Sequence, residues 1–307
     1  MTGFSHALVT GGAGFIGSRL TRRLLDDGLR VTVIDNLTVG QRHAVPGDAC
    51  FVHGDIRDEA AVGDALTGVD CVFHLAAQVT IRGSYDRFYE DLDTNVMGTA
   101  RLLRAVDSLH VRWFTLASSM AVYADAPSPT PIPEAHPTQP VSPYGVGKLA
   151  AEGVSREILA ARGIPFTAVR YFNTFGPGQT YTPYVGVITI FVTRLLRGQP
   201  ITIFGDGEQQ RDFVHVDDIV AGTVATLGRA QGTYNLGTGR GTSLNQLAQL
   251  LISRLAPHQR VSHAAAHAGE LRFSVADIAA ARAALDYVPA RSLEGDLDTV
   301  IAEIAAR

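Results

Sequence analysis

A glycine-rich turn between two segments of different hydrophobic periodicity constrains the fold of this chain most. A short apolar run at residues 6–10 predicts a buried strand, and the glycines that follow it, Gly11, Gly14 and Gly17, open a predicted amphipathic helix. A second predicted strand, residues 30–34, ends at Asp35, 18 residues after Gly17. This order of strand, glycine turn, helix, strand and acid is typical of a dinucleotide-binding fold.

The turn also indicates which dinucleotide is bound. Glycines let the backbone approach a pyrophosphate, which rests at the N-terminus of the helix. Asp35 can accept hydrogen bonds from the adenosine ribose and would repel a 2′-phosphate, so the sequence favours NAD over NADP. The alternative interpretation is that Asp35 is a solvated turn residue. The glycines follow the spacing Gly-x-x-Gly-x-x-Gly rather than Gly-x-Gly-x-x-Gly.

Predicted strands and helices alternate as far as Tyr171, which indicates an α/β fold with a Rossmann-type doubly wound parallel sheet. In such a sheet, ligands bind at the carboxyl ends of the strands. Loop signals then replace the regular alternation and indicate a smaller, mostly helical substrate-binding domain. We predict that residues 1–172, with 212–236, form the NAD-binding domain, and that residues 173–211 and 237–307 form the substrate-binding domain.

Composition narrows the classes of partner. The formal net charge is −4 and no basic block occurs, so neither nucleic acid nor a membrane surface is expected as a partner. No apolar run approaches the roughly 18 residues of a membrane span, and the first residues lack a signal-peptide pattern. Cys50 and Cys71 form neither a disulfide framework nor a metal-ligand spacing, and both are predicted to be buried. We expect a cytoplasmic protein without a metal site.

A tyrosine and a lysine four residues apart stand at the start of a predicted helix. Tyr144 and Lys148 follow a proline-rich loop, and residues at this spacing share one helix face. A phenol with an ordinary pKa of about 10 is a poor base, and a neighbouring cation is expected to lower that pKa. The pattern alone also occurs by chance in long helices.

The ordered set of motifs resembles the extended short-chain dehydrogenase/reductase family, in its NAD-dependent nucleotide-sugar epimerase/dehydratase branch, of which UDP-glucose 4-epimerases are typical. The resemblance covers nearly the whole chain. It rests on the sequences TGGAGFIG at 10–17, GDIRD at 54–58, HLAAQ at 74–78, Asn95, Ser118-Ser119, Tyr144 with Lys148, RYFN at 170–173, GDG at 205–207 with RDF at 211–213, and NLGTG at 235–239.

The resemblance implies roles for the matching residues. The catalytic residues would be Ser119, Tyr144 and Lys148. The cofactor would be bound by these last two and by Gly11, Gly14, Phe15, Ile16, Gly17, Asp35, Asn36, Asp55, Ile56, Leu75, Ala76, Ala77, Asn95 and Phe172. The substrate would be bound by Ser119, Asn173, Val187, Thr202, Phe204, Arg211, His267 and Ser274. Two alternatives to these substrate-binding roles stay open, namely that Arg211 forms a surface salt bridge and that Asn173 is an ordinary loop residue.

The two residues after Ser119 discriminate between reactions within the branch. Sugar 4,6-dehydratases carry an Asp-Glu pair at these positions, and uronate decarboxylases carry a glutamate at the second. Met120 and Ala121 stand there instead and cannot transfer a proton. Epimerisation at the sugar C4 atom is therefore favoured, while reduction of a keto sugar stays open.

The sequence departs from the family pattern near its end. The family carries an arginine that clamps the substrate diphosphate, and this chain has His267, which cannot form a bidentate fork. Either Arg272 replaces it or the diphosphate is held differently. Ser274 stands where the resemblance places a residue that borders the sugar, and its small size predicts room for a bulkier sugar.

Three functional hypotheses follow from these observations. The first is an NAD-dependent nucleotide-sugar 4-epimerase that oxidises C4 transiently and returns hydride to either face of the 4-keto sugar. The second is an NDP-4-keto-sugar reductase, and the third is a non-catalytic dinucleotide-sensing protein. The base and sugar of the substrate stay open. The resemblance also implies a homodimer formed by helices near 92–108 and 145–162.

Overall fold

The computed structural model describes residues 3–106, 110–181, 186–266 and 271–306. The strands within these ranges are β1 (His6–Thr10), β2 (Arg30–Asp35), β3 (Cys50–His53), β4 (Cys71–His74), β5 (Phe114–Ser119), β6 (Phe166–Tyr171), β7 (Asn173–Phe175), β8 (Ile201–Phe204), β9 (Gln210–Arg211), β10 (Phe213–His215), β11 (Gly232–Leu236), β12 (Thr242–Ser243), β13 (Val261–Ala264) and β14 (Phe273–Ser274).

Helices connect and cover these strands. They are α1 (Phe15–Asp26), α2 (Glu59–Ala65), α3 (Gly83–Asp86), α4 (Phe88–Leu92), α5 (Thr99–Ala105), α6 (Pro143–Ala161), α7 (Val187–Leu196), α8 (Val216–Ala225), α9 (Leu244–Leu255), α10 (Ala279–Leu285) and α11 (Leu293–Ala306). Among the described helices, none is long and apolar enough to cross a membrane.

The large sheet is parallel and has the order β11-β6-β5-β4-β1-β2-β3 in the described part of the chain. The order reverses between β1 and β4, which creates the crevice where an open α/β sheet binds its ligand. The predicted Rossmann-type fold is confirmed. The central strands β1, β5 and β6 are buried along their whole length, as expected for a sheet covered by helices on both faces.

In the described residues, the second part of the chain builds three small sheets beside the large one. They pair β7 with β10, β8 with β13, and β9 with both β12 and β14. Helices α7, α9 and α11 cover them with a separate apolar cluster that includes Phe191, Leu251 and Leu297. Strand β11 instead joins the large sheet beside β6. The division into two domains stays a prediction.

Two local predictions need correction. The helix expected over 92–108 begins earlier, at Phe88, and runs to Ala105 with a π-helical turn, Asp93–Gly98, between α4 and α5; residues 107–108 lie outside the described ranges. Cys50 is exposed rather than buried, because it begins the edge strand β3. Cys71, in the interior strand β4, is buried as predicted.

A buried ion pair fixes α6 against the sheet. Arg170 of β6 donates from Nε to Glu152 Oε1 at 2.9 Å and from Nη2 to Glu152 Oε2 at 2.7 Å. The hydroxyl of Ser118, in β5, donates to the same Oε1 atom. Burial alone would lower the pKa of Arg170, but the Glu152 carboxylate holds it above its ordinary value. The pair therefore fixes where α6 lies along β5 and β6.

Replacing Arg170 with methionine is expected to lower the free energy of unfolding by about 3–5 kcal/mol, because Glu152 would be left as an uncompensated buried charge. Urea unfolding followed by circular dichroism measures the change. The matched control is Arg104→Met, which breaks the exposed pair with Glu59 at 3.0 Å and should cost less than about 1 kcal/mol. Equal losses in the two variants would contradict the anchoring role.

Candidate active site

One large cavity, of about 1310 Å³, runs along the carboxyl ends of the strands of the large sheet. The second part of the chain forms its opposite wall, through residues of β7, α7 and β8. Its lining contains most of the residues predicted from the sequence, namely Gly11, Gly14, Phe15, Ile16, Gly17, Asp35, Asn36, Asp55, Ile56, Leu75, Ala76, Ala77, Ser119, Tyr144, Lys148, Phe172, Asn173, Val187, Thr202, Phe204 and Arg211.

The glycine turn leaves the N-terminus of α1 open to the cavity. Gly14 is the N-cap residue and provides no side-chain cap, and the first turn of α1 has no acidic residue. A Cβ atom on Gly17 would lie 2.1 Å from the carbonyl oxygen of Gly11, so only glycine lets the helix pack this close to the turn. Backbone N–H groups and the helix dipole here form a site suited to a pyrophosphate.

The carboxylate of Asp35 is held in place by the backbone. Its Oδ2 atom accepts from the Ala13 N–H at 3.0 Å, and Oδ1 accepts from the Leu37 N–H at 2.8 Å. An ionised carboxylate has about four acceptor sites, so capacity is left for ribose hydroxyls. Residues of this end of the cavity therefore fit the adenosine half of NAD. A 2′-phosphate would meet a negative charge.

Asn36 and Asp55 lie together at the same end of the cavity. The Asn36 amide donates to Asp55 Oδ2 at 2.8 Å. Arg57 donates to both oxygens of Asp55, and this contact holds the pKa of Asp55 well below its usual range. Asp55 is thus a fixed negative charge that holds the Asn36 amide at this end of the cavity.

A buried chain of hydrogen bonds connects the glycine turn to the π-helical turn. Thr10 Oγ1 accepts from the backbone N–H groups of Leu75 and Ala76, so its own hydrogen points to Nδ1 of His74 at 2.7 Å. His74 then donates from Nε2 to Thr99 Oγ1 at 2.9 Å, and Thr99 donates to the Asn95 carbonyl at 2.7 Å. Burial, with the Lys148 charge, lowers the pKa of His74 to about 3, so the ring is neutral.

Asn95 acts behind the cavity wall and does not line it. Its Oδ1 atom accepts from the Gln78 N–H at 2.8 Å, and its Nδ2 atom donates to the Gln78 carbonyl at 3.0 Å. Gln78 does line the cavity, so Asn95 fixes the shape of the segment that follows β4. Its role as a direct cofactor ligand stays a prediction.

Ser119 and Tyr144 meet at the carboxyl end of β5. Ser119 ends the strand, and its Oγ atom accepts from the Ala121 N–H at 3.2 Å. Ser142 caps α6 by accepting from the Gly145 N–H at 3.1 Å, which sets the start of the helix one residue before Tyr144. A Cβ atom on Gly145 would lie 2.2 Å from the Ala121 carbonyl oxygen, so this glycine permits the close approach.

Burial dominates the electrostatics of the catalytic residues. It raises the pKa of Tyr144 to about 12, which the Ser119 hydroxyl partly offsets and the Asp91 charge increases. Burial also lowers the pKa of Lys148 to about 8, against the raising effect of Glu152 and Asp91. The expected lowering of the Tyr144 pKa was therefore wrong. The spacing in the sequence predicts that Lys148 lies near Tyr144, but it does not show how far burial excludes water from the phenol.

The substrate side of the cavity departs from the predicted set at two residues. Ser274 is fully buried and pairs with Arg211 in the sheet of β9 and β14, so it does not lie on the cavity wall. His267 lies outside the described residues. Arg272 does not replace it at the cavity, because its guanidinium is exposed and binds both oxygens of Asp206, at 2.9 and 3.3 Å.

Several residues that shape the site were not predicted from the sequence. Arg82 and Arg194 line the substrate side, and the Arg82 guanidinium lies 5.0 Å from the centroid of the Phe204 ring. Thr10 and Thr99 orient His74 from inside the protein. For Arg82, its position shortly after the strand end at His74 was an available signal. The two threonines gave none, because their role depends on contacts distant in sequence.

The profile described as "NAD dependent epimerase/dehydratase family" matches residues 7–237. The chain belongs to this family. The resemblance predicted from the sequence is confirmed.

Relatives extend the match to nearly the full length. The UDP-glucose 4-epimerase of Mycolicibacterium smegmatis is 36% identical over 304 residues, 96% of this chain and 97% of the relative. The structure of Thermotoga maritima UDP-glucose 4-epimerase with UDP-glucose has a TM-score of 0.94 and 34% identity and covers 98% of this chain and 99% of its own. The structure of Bacillus cereus UDP-glucuronic acid 4-epimerase with UDP-glucuronic acid and NAD has a TM-score of 0.90 and 30% identity, with coverages of 98% and 99%.

Replacing Asp35 with asparagine is expected to weaken NAD binding by about tenfold, because a hydrogen bond to a charged group is worth roughly 1.5–3 kcal/mol and about 1.4 kcal/mol is a tenfold change in Kd. Discrimination against NADP should fall as well. Isothermal titration of both dinucleotides measures the change. The control is Asp48→Asn, whose carboxylate is exposed; an unchanged NAD affinity in Asp35→Asn would contradict the assignment.

Proposed function

We propose that this protein is an NAD-dependent nucleotide-sugar 4-epimerase. The observation that carries the proposal is the meeting of Ser119 and Tyr144 in a cavity whose one wall fits a dinucleotide and whose other wall presents Asn173 and Arg211. Relatives across nearly the whole chain are named as UDP-sugar 4-epimerases, which supports the same reaction.

The residues of the site suit a reversible proton transfer at the sugar C4 hydroxyl. When bound, NAD supplies the hydride acceptor for C4 and the donor that returns the hydride to the 4-keto sugar. Tyr144 takes the hydroxyl proton during oxidation and gives it back during reduction. The Ser119 oxygen already accepts from Ala121, so its one O–H hydrogen is left to bond the phenol or the sugar oxygen. Net redox change is zero.

The environment of Tyr144 governs when this transfer occurs. Its phenol is protonated at neutral pH, since its pKa is raised to about 12. The phenolate therefore needs more positive charge beside it than Lys148, one helical turn further along α6, provides alone, and the nicotinamide of bound NAD would add that charge. Its pKa of about 8 keeps Lys148 mostly charged at pH 7.

The short 3₁₀ turn after Ser119 limits the reaction to C4. Met120 and Ala121 are both buried in this turn and line the cavity next to Ser119. Neither side chain can give or take a proton, so elimination across C5 and C6 and decarboxylation of a uronate have no acid or base at these positions. Epimerisation needs none.

The class of substrate is a nucleoside diphosphate sugar. We infer that Arg211, on the cavity wall opposite the glycine turn, binds the diphosphate with Asn173. The Thr202–Phe204 segment and Val187 then face the nucleoside. The related enzymes are named for sugars that differ at C6 or at C2, so a panel of UDP-glucose, UDP-glucuronate and UDP-N-acetylglucosamine is the direct test of the sugar.

Replacing Tyr144 with phenylalanine is expected to lower kcat for epimerisation by about 10²–10⁴-fold, because the C4 proton loses its acceptor. Proton NMR of each nucleotide sugar, incubated with the NAD-loaded enzyme, follows the appearance of the C4 epimer. Tyr234→Phe is the matched control, since that hydroxyl bonds only the Gln231 carbonyl, at 3.2 Å, among the contacts of the described residues. Stoichiometric consumption of NADH or NADPH without epimer formation would instead indicate a keto-sugar reductase.

We infer a homodimer from an exposed apolar face. Phe88, Tyr89 and Met97 on α4 and the π-helical turn have exposed fractions of 56%, 74% and 49%, and Val146 and Ile158 of α6 have 48% and 38%. Exposed apolar side chains concentrated on neighbouring helices are typical of protein interfaces. Packing of these helices against a second copy would bury them.

Phe88→Glu and Met97→Glu are expected to convert the dimer to a monomer, because each places a charge in the proposed interface. Light scattering after size-exclusion chromatography measures the mass. Val288→Glu, at another exposed apolar residue, is the control and should leave the mass unchanged. A wild-type protein that is monomeric at micromolar concentration would contradict the proposal.

A cytoplasmic location is also inferred. Cys50 and Cys71 are both unpaired thiols, as expected in a reducing compartment. Fractionation of cells that express the protein tests this location.

A further inference from the structure

A buried carboxylate behind the catalytic helix has no place in the mechanism so far. Asp91, in α4, is 2% exposed. Its Oδ1 atom accepts from Asn95 Nδ2 at 3.1 Å, while Oδ2 is buried and makes no hydrogen bond with a described residue. A buried carboxylate that lacks a donor is unfavourable unless a positive charge compensates it.

The backbone of α6 is shaped to receive this carboxylate. A Cβ atom on Gly147 would lie 3.3 Å from Asp91 Oδ1 and 3.5 Å from the Cβ atom of Asn95. The glycine therefore allows α4 and the π-helical turn to approach α6 immediately before Lys148. The carboxylate lies at the level of the helix where the lysine side chain begins.

Charges near Lys148 come from three elements. Glu152 lies on α6 itself and is the stronger of the two negative charges that raise the pKa of Lys148, although both of its oxygens are bound by the Arg170 guanidinium. His74 of β4 is a neutral ring, oriented by the Thr10 and Thr99 hydroxyls. Tyr144 is a neutral phenol. Asp91 is thus the second negative charge that acts on the lysine, and unlike Glu152 it has a carboxylate oxygen without a hydrogen bond to a described residue.

Asp91 and Lys148 interact without a direct ion pair among the contacts of the described residues. The interaction is electrostatic through a dry interior, where charges act over longer distances than in water. We propose that Asp91 is a positioning residue that keeps the Lys148 ammonium charged and oriented toward Tyr144. This inference rests on the proposed function for its role in the reaction, but the charge coupling itself is independent of it.

The pKa directions give the sign of each effect. Burial raises the pKa of Asp91 to about 6, which its contact with Asn95 and the Lys148 charge partly offset. The Asp91 charge in turn raises the pKa values of Lys148 and Tyr144. Removing that charge therefore lowers the pKa of both, and both limbs of a pH–rate profile that depends on them move to lower pH. Loss of packing alone would reduce the rate without moving the limbs.

A property of the sequence makes the coupling directly measurable. Lys148 is the only lysine among the 307 residues, all other residues counted as Lys or Arg being arginine. Protein labelled with ¹³C,¹⁵N-lysine therefore gives one Cε–Nζ signal, which reports the protonation of the catalytic lysine without any substrate. The measurement uses the full chain.

The test compares wild-type protein with Asp91→Asn and Glu90→Gln. Asparagine retains the shape of the side chain and an acceptor for Asn95, and Glu90 is the exposed neighbour, paired with Arg87 at 3.8 Å. We expect the wild-type Lys148 signal to show a second inflection near pH 6, where Asp91 titrates. In Asp91→Asn this inflection should vanish and the main midpoint should fall by about 1 pH unit. Glu90→Gln should match the wild type.

Activity completes the test. In Asp91→Asn the optimum of kcat should move to lower pH while KM for the nucleotide sugar stays unchanged, because Asp91 does not line the large cavity. Identical Lys148 titrations in wild type and Asp91→Asn would overturn the proposal. If Asp91→Asn fails to fold, a wild-type Lys148 titration without the inflection near pH 6 would overturn it. Absence of epimerase activity with the expected titrations would instead count against the proposed function.

Discussion

The active site depends on where helix α6 lies against the sheet, and the buried pair of Glu152 with Arg170 fixes that position. The pair ties the helix to β6, and the Ser118 hydroxyl ties it to β5. Ser119 follows Ser118 directly, while Lys148 precedes Glu152 by one helical turn. The buried contacts of Glu152 with Arg170 and Ser118 therefore set the distance between the Ser119 hydroxyl on β5 and the Tyr144 phenol on α6.

The two ends of the cavity are formed in different ways, one by backbone groups and the other by side chains. At the dinucleotide end, backbone groups do the binding: the open N-terminus of α1, and the Ala13 and Leu37 amides that hold Asp35. Such a site tolerates few changes, because a side chain at Gly17 would displace the turn. At the reactive end, side chains from separate elements come together, and burial shifts their pKa values in opposite directions. The dinucleotide-binding end therefore depends on local backbone conformation, whereas the reactivity of Tyr144 and Lys148 depends on tertiary packing.

This difference explains what the sequence could and could not predict. The glycine turn, Asp35 and the alternation of strands and helices are local patterns, and β1 has the limits expected from its apolar run. Ser119, Tyr144 and Lys148 were found through motifs, and the structure brings them to one cavity. Their placement could be predicted, since strand ends and helix starts have sequence signals.

Properties that depend on burial could not be predicted in this way. The upward shift of the Tyr144 pKa follows from the burial of the phenol, which the spacing of residues in the sequence does not indicate. The π-helical turn around Asn95 arises from packing against α6 and from the Thr99 side chain. The hydrophobic periodicity of the sequence predicts one regular helix there and does not indicate the turn. Ser274 lies beside Arg211 in a pair of short strands but is fully buried, so it does not line the cavity.

The burial of Lys148 has a consequence for chemical regulation. The side chain is 4% exposed, and no other lysine occurs in the sequence. Reagents and enzymes that acylate or methylate lysine amines therefore find no target on the outside of this molecule. Positive charge on the outside is carried by guanidinium groups, which such reactions leave unchanged. Acylation of this one lysine would require the reagent to enter the active-site cavity, which Lys148 lines.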